Sequence, residues 1–161
     1  EEPKAKEEEL RGQREREVRK RKEREEEEMA ARRLKAQRQD VLESFQSLLT
    51  EQVKDPDSSW REYWPKLERD PQGRATSRNV DNTTLEKYFR DHVAKLYDRG
   101  VADYRQLLKE RLRDEKRKVA ESWSKMRLKL EEDVRFNRCP ARERERLFRR
   151  FVETLPKAGE E

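Results

Sequence analysis

The residue types that carry most enzyme chemistry, apart from carboxylates, are scarce in this chain. His92 is the single histidine, and it falls on a predicted helix beside Asp91, where we expect an exposed side chain. Cys139 is the single cysteine, and no second cysteine or histidine lies near it in sequence to complete a metal site. No glycine-rich phosphate loop is present, and acidic pairs are too frequent to single out a catalytic pair. We therefore predict that the chain is not an enzyme and that it holds no metal or other cofactor.

The composition argues against one large buried core. Charged residues make up 49% of the chain and apolar residues 30%, against about 25% and 45–50% in ordinary globular domains. Only four glycines interrupt long stretches of Glu, Lys, Arg, Leu and Ala, which favours helix almost throughout. Small cores separated by solvated helix are therefore expected.

Several features bear on the cellular setting of the chain. A single cysteine cannot form a disulfide within the chain and fits a reducing compartment. No apolar run of about 18 residues is present, so we predict no membrane association. The chain begins with Glu1 rather than methionine and has no apolar signal segment. We therefore expect it to be part of a longer protein.

A set of aromatic and leucine positions occurs twice in the same order. From the first copy to the second, the shift is 59 residues at the first aromatic, 63 at the tryptophan and 59 at the last aromatic. A repeat of about 60 residues that keeps its apolar anchors indicates two copies of one small domain. The expected core anchors are Phe45, Trp60, Leu67 and Phe89 in the first copy and Tyr104, Trp123, Leu130 and Phe148 in the second.

The chain divides into a charged arm, two repeats and a short tail. The predicted boundaries are 1–40 for the arm, 41–98 for the first repeat, 99–157 for the second repeat and 158–161 for the tail. Each repeat is predicted to hold three helices, so the expected fold class is all-α, with a long charged helix ahead of two small three-helix domains. Ser58 or Ser59 is placed to cap the second helix. At Gly100 the last helix of one repeat can continue into the first helix of the next.

The arm consists almost entirely of charged residues. It holds 14 basic and 13 acidic residues, and many acidic residues stand four positions before a basic one, as Glu15 does before Arg19. Each such pair supports a helix by roughly 0.2–0.5 kcal/mol. The few apolar residues keep no heptad spacing, so we predict a single solvated helix that acts as a spacer. The alternative is a partner-binding arm or a nuclear-import signal built on the basic run Arg19–Lys22.

The repeats have the features of a known small domain. Each has an early aromatic before Leu-Leu, a Ser-Trp pair that opens the second helix, an Asp with an Arg after it, and a Phe in the third helix. In this order the features resemble the FF domain, over about 41–155. The Arg/Glu-rich helix running into VLESFQSLL, with YRQLLKE between the repeats, is most similar to the tandem FF array of the transcription elongation regulator proteins. The pre-mRNA-processing protein 40 group is the next most similar.

This chain departs from the FF pattern at a few positions. Tyr104 stands where the family has its first Phe, and its hydroxyl needs water or a partner. Gln72 and Gly73 are inserted before Arg74, and Ala75 takes the place of an aromatic. The connection before the third helix of the first repeat is therefore expected to be looser than its counterpart.

The resemblance implies a nuclear protein-interaction scaffold that couples transcription elongation to pre-mRNA splicing. The implied partners are the phosphorylated C-terminal tail of RNA polymerase II and acidic motifs with an embedded aromatic in splicing and elongation factors. A phosphoserine carries about −1.5 to −2 charge, which arginine side chains bind well. The implied contact residues flank the turn after the second helix: Lys66, Arg69, Arg74 and Arg78 in the first repeat, and Lys129, Arg135, Arg138 and Arg142 in the second.

Other interpretations of these residues stay open. Each cation can be an ordinary solvated surface charge, and Arg74 and Arg135 can instead pair with Asp70 and Asp133 to hold the turn. The net charge of +5 is mildly basic, so an RNA- or DNA-binding helical module is the main alternative function. A rigid helical spacer is the third. We expect a monomer in each case.

Overall fold

The computed structural model describes residues 2–115, 117–120 and 122–156, and all regular structure in them is helical. The helices are α1 (Glu2–Gln52), α2 (Trp60–Glu68), α3 (Asn82–Leu112), α4 (Arg117–Ala120), α5 (Trp123–Leu130), α6 (Val134–Arg138) and α7 (Ala141–Thr154). The all-α prediction is confirmed. The predicted tail lies outside the described residues. None of the described helices has a stretch long and apolar enough to cross a membrane.

Helix α1 joins the arm to the first repeat without a break. From residue 2 to residue 40 its side chains are exposed, including apolar ones such as Leu10 and Met29. The first buried side chains are Phe45, Leu48 and Leu49, where apolar residues begin to share one face. The arm is therefore a solvated helix, and packing begins only with the apolar stripe of the first repeat.

The buried side chains form two separate apolar clusters. The first cluster is Phe45, Leu48, Leu49, Val53, Leu67, Ala75, Leu85 and Phe89, and the second is Val101, Tyr104, Leu107, Leu108, Leu112, Ala120, Met126, Leu130, Phe136, Cys139, Leu147, Phe148, Val152 and Leu155. Burying one such Leu or Phe side chain stabilises the fold by about 1.5–3 kcal/mol. Helix α3 supplies both clusters, so the predicted boundary between 98 and 99 lies inside a continuous helix.

The expected anchors differ in how deeply they are buried. The six anchors other than the tryptophans are at most 1% exposed. Trp60 and Trp123 are only half-buried, so their expected core position is corrected to the margin of each cluster. Each is the first residue of its helix, where one side of the indole packs on a core ring and the rest stays accessible. The ring centroids are 5.5 Å apart for Trp60 and Phe89 and 5.0 Å apart for Trp123 and Phe148.

The two repeats differ in the segment before their third helix. In the first repeat, residues 69–81 form turns without a helix, whereas the second repeat has the short helix α6 in the matching place. The backbone at Gly73 adopts a φ of 66°, which glycine accepts without strain. The inserted glycine therefore gives the first repeat an irregular turn where the second has a helix.

Candidate binding surface

The Arg74 guanidinium forms hydrogen bonds with two carboxylates of the first repeat. Its Nε and Nη2 donate to the Asp70 carboxylate at 2.9 and 3.1 Å. Its Nη1 and Nη2 donate to the Glu51 carboxylate at 3.1 and 2.9 Å. The side chain is only 12% exposed. Arg74 therefore ties the turn after α2 to the last turn of α1, in an arrangement we call the first arginine brace.

Arg135 makes the same connection in the second repeat. Its Nε and Nη2 donate to the Asp133 carboxylate at 3.0 and 2.9 Å, and Nη2 also donates to Glu110 at 2.7 Å. Glu110 lies in the last turn of α3, so this second arginine brace ties the start of α6 to that helix. The ion pair with Asp70 or Asp133 that the sequence left open is therefore present in both repeats.

The braces also set the ionisation of their carboxylates. Hydrogen bonds from the Arg74 side chain hold the pKa of Asp70 at about 2, below its usual 3.8. Arg135 lowers the pKa of Asp133 to about 2 in the same way. The pKa values of Glu51 and Glu110 are lowered for the same reason. A ligand phosphate at either arginine would have to displace a carboxylate that is already bound.

Sequence reasoning missed the glutamate of each brace. Glu51 and Glu110 follow the Leu-Leu pair by two positions and are related by the same 59-residue shift as the first aromatic anchor. That shared shift could have identified the two glutamates as matching positions of the repeats. It was hard to read because nearly half of the chain is charged, so a repeated glutamate is expected by chance at many positions.

The remaining six candidate cations, all exposed, are Lys66, Arg69, Arg78, Lys129, Arg138 and Arg142. The Lys129 ammonium is 3.0 Å from Glu115, and the Lys66 ammonium lies 5.1 Å from the centroid of the Tyr63 ring. Within the described ranges, the Arg69, Arg78 and Arg138 side chains form no ion pair. The eight candidates therefore do not converge on one site.

An open groove of 680 Å³ runs along one face of α3 where the two repeats meet. The α3 residues Phe89, Val93 and Tyr97 line it at helical spacing, and Trp60 of α2 lines its first-repeat side. Arg142 of α7 is the one candidate cation among the described residues that reaches it. We call this feature the junction groove.

Arg142 links three parts of the molecule at the end of the junction groove. Its Nη1 is 3.1 Å from Oδ1 of Asp57, which lies in the loop between α1 and α2. Its guanidinium carbon lies 5.6 Å from the centroid of the Tyr97 ring on α3. The Arg142 side chain is 65% exposed, so solvent reaches the ion pair. Because Asp57 and Arg142 belong to different repeats, this contact crosses the junction.

Tyr97 also contacts the start of α7. The Glu143 carboxylate beside its hydroxyl raises the pKa of Tyr97 above its usual 10.0. The Arg146 side chain and Tyr97 together lower the pKa of Glu143. The first turn of α7 is therefore attached to α3 by side chains of both helices.

His92 and Cys139 have structural positions. The expectation that His92 is exposed is wrong: it is half-buried, and its Nε2 is 2.8 Å from the carbonyl oxygen of Val53. Because a carbonyl only accepts, Nε2 donates and joins α3 to the segment after α1. Cys139 is fully buried in the second cluster, and burial raises its pKa to about 11. In the described part of the chain, no group of three or more His, Cys, Asp or Glu side chains is arranged to hold a metal ion.

These features define a class of protein: an all-helical chain with two repeated small cores, a braced corner in each repeat and an accessible groove at their junction. The chain is 43% identical over 129 residues to pre-mRNA-processing protein 40C of Arabidopsis thaliana. The match covers 75% of this chain and 15% of that relative, so the chain spans a small part of its length. The similarity supports a relationship to the pre-mRNA-processing protein 40 group, the second group that the sequence suggested. No protein-family model and no solved structure matches the chain.

Proposed function

We propose that this chain is a protein-interaction scaffold of pre-mRNA splicing, built from two FF-type domains at 41–98 and 99–157. The observation that carries the proposal is the 43% identity, over 75% of the chain, to a protein named for pre-mRNA processing. The two apolar clusters, each with its own arginine brace, support the division into two similar domains. Binding rather than catalysis is the activity that such small cores suit.

The proposed partners are the phosphorylated C-terminal tail of RNA polymerase II and acidic motifs with an embedded aromatic in splicing and elongation factors. In this role the scaffold works in the nucleus and couples transcription elongation to splicing. Exposed cations without an ion pair among the described residues, such as Arg69 and Arg78, support an anionic partner. Weak sites linked on one chain gain overall affinity because the second contact becomes intramolecular.

One observation favours a spacer as a second function. Helix α1 has 51 residues, and none of its side chains from residue 2 to residue 40 is buried. At 1.5 Å per residue, such a helix is about 75 Å long. The arm would then set the distance between the repeats and whatever precedes them, without contacting a partner itself.

A binding experiment on the full 161-residue chain tests the proposal. Fluorescence anisotropy would compare a doubly phosphorylated polymerase-tail peptide, its unphosphorylated twin, an acidic peptide with one central Tyr, and a single-stranded RNA of similar length. We expect binding of the phosphorylated or the acidic peptide and none of the unphosphorylated twin. Binding of RNA alone, with a steep loss as salt rises, would favour the nucleic-acid module. If the chain binds none of the probes, the helical spacer would be the remaining function.

A further inference from the structure

We propose that the junction groove is a composite ligand site that both repeats form together, and that it binds an aromatic side chain beside an anionic group of an acidic peptide. This inference rests on the proposed scaffold function and deepens it. The turn after the second helix of each repeat, where the braces lie, is then a structural element and not the main binding site.

The aromatic part of the site lies on the first-repeat side. Trp60 stacks on Trp64, with ring centroids 4.8 Å apart, and meets Phe89 edge-on at 5.5 Å. These contacts hold the indole in place, while its half-buried position leaves part of it accessible in the groove. A flat apolar side chain can therefore pack against Trp60 without first ordering it, which lowers the entropic cost of binding.

The anionic part of the site is Arg142, at the second-repeat end. Its present partner is the Asp57 carboxylate at 3.1 Å, in a solvent-accessible pair. A carboxylate or phosphate of the ligand can take the place of Asp57, because an exposed ion pair contributes little and exchanges readily. Arg61 also lines the groove and forms no ion pair within the part of the chain that the structure describes. Two cations are therefore available to a short acidic segment.

The charges of the groove favour a peptide over a nucleic acid. Glu86 and Asp98 line it together with the cations. Arg90 also lines the groove and pairs with Glu86 at 2.7 Å, whereas Asp98 forms no ion pair among the described residues. A continuous phosphate backbone would pass both carboxylates at close range, where like charges repel. A peptide with one aromatic and one or two acids can place its charges at the two ends and avoid them.

The site requires both repeats in their present arrangement. Trp60 and Asp57 belong to the first repeat and Arg142 belongs to the second, while α3 runs through both. Among the described residues that line the groove, Arg142 alone belongs to the second repeat, so the first repeat by itself has the aromatic part of the site and lacks Arg142. Affinity should depend on the contacts that join α7 to α3 as well as on the residues that touch the ligand.

The test uses the full chain and a fluorescein-labelled 12-residue acidic peptide with one central Tyr. We expect Arg142→Gln to weaken binding by about two- to fivefold, as for one accessible ion pair. Asp57→Asn should strengthen binding by up to about twofold, because it removes the internal competitor for Arg142. Replacing the peptide Tyr by Ala should also weaken binding. In two-dimensional NMR spectra the indole N–H signal of Trp60 should shift on titration of the wild-type chain.

The matched control is Arg150→Gln, an exposed arginine of the same helix outside the groove. It should bind like the wild type, and circular dichroism should show all three variants equally helical. The wild-type chain could bind the peptide with an affinity that Arg142→Gln and Asp57→Asn leave unchanged and that Arg78→Gln weakens. That result would overturn the groove as the binding site and leave the scaffold function standing. A wild-type chain that binds no peptide would overturn both. Equal binding of a 12-nucleotide RNA, lost in Arg142→Gln, would overturn the peptide assignment.

Discussion

Gly100 of α3 and Arg138 of α6 meet through their backbones. A β-carbon at position 100 would lie 2.4 Å from the carbonyl oxygen of Arg138, closer than real carbon–oxygen contacts allow. Only glycine permits this approach without movement of the α6 backbone. Arg142 follows Arg138 along the chain, in the first turn of α7, and lines the junction groove.

We expect Gly100→Ala to destabilise the fold although alanine is the better helix former. Overpacking typically costs about 1–3 kcal/mol, and the gain in helix propensity offsets about 1 kcal/mol of that. Gly12→Ala is the matched control, because a β-carbon there would meet nothing closer than Nη2 of Arg16 at 3.8 Å. Urea unfolding should give a lower midpoint for Gly100→Ala and no loss for Gly12→Ala. Equal midpoints for the wild type and Gly100→Ala would contradict the close contact.

The arginine braces should make the stability of the fold depend on pH in the acidic range. The folded-state pKa values of Asp70 and Asp133 are about 2, below the usual 3.8, so their contribution is present above about pH 4. It should be lost as the pH falls from about 4 to about 2 through the folded-state values. The thermal midpoint of Asp70→Asn should therefore lie below that of the wild type at pH 7 and approach it near pH 2.

An exposed aspartate serves as the control for this pH series. Asp114 has a side chain that is 92% exposed, and its only ion pair among the described residues, with Arg113, is long at 3.7 Å. Calorimetry of Asp114→Asn should give the wild-type profile at every pH. If Asp70→Asn and Asp114→Asn behave alike, the brace contributes nothing to folding.

The hydroxyl of Tyr104, which the matching Phe45 of the first repeat lacks, should stabilise the second repeat. Tyr104 is fully buried, and its hydroxyl donates to the carbonyl oxygen of Arg144 at 2.7 Å. Removing that hydrogen bond in Tyr104→Phe should cost about 0.5–1.5 kcal/mol. The reciprocal change Phe45→Tyr should also destabilise, by about 1–3 kcal/mol, since it buries a hydroxyl in an all-apolar cluster. Chemical denaturation of both variants would check this, and a neutral Phe45→Tyr would mean that the first cluster supplies a partner.

The two serines that precede the tryptophan helices should contribute differently to the free energy of unfolding. Ser59 accepts a hydrogen bond from the backbone N–H of Glu62 at 3.3 Å, whereas the Ser122 side chain makes no such cap bond. Ser59→Ala should therefore cost about 0.5–1 kcal/mol and Ser122→Ala a few tenths at most. Unfolding free energies from urea titration measure both. An equal cost for Ser122→Ala and Ser59→Ala would show that the two repeats are capped alike in solution.

Local features of the chain were predictable because they depend on neighbours in sequence. The apolar spacing around Phe45 and Leu107 indicates a helical face whatever it packs against, and a serine before a tryptophan indicates a helix start. The repeat of these features predicted two small cores and the all-α fold. The same spacing predicted that the helix could continue through Gly100, as it does.

Contacts between distant residues were decided only by the tertiary structure. Glu51 and Arg74, or Asp57 and Arg142, meet because helices end at particular places and cross at particular angles. In a chain that is 49% charged, each cation has many potential partners, and sequence offers no means to choose among them. The sequence by itself therefore determined the helices, the repeats and the side chains able to form cores. The folded chain decided which arginines are held in braces, which tryptophan face stays accessible and where the two repeats form a groove, because these depend on distances across the fold.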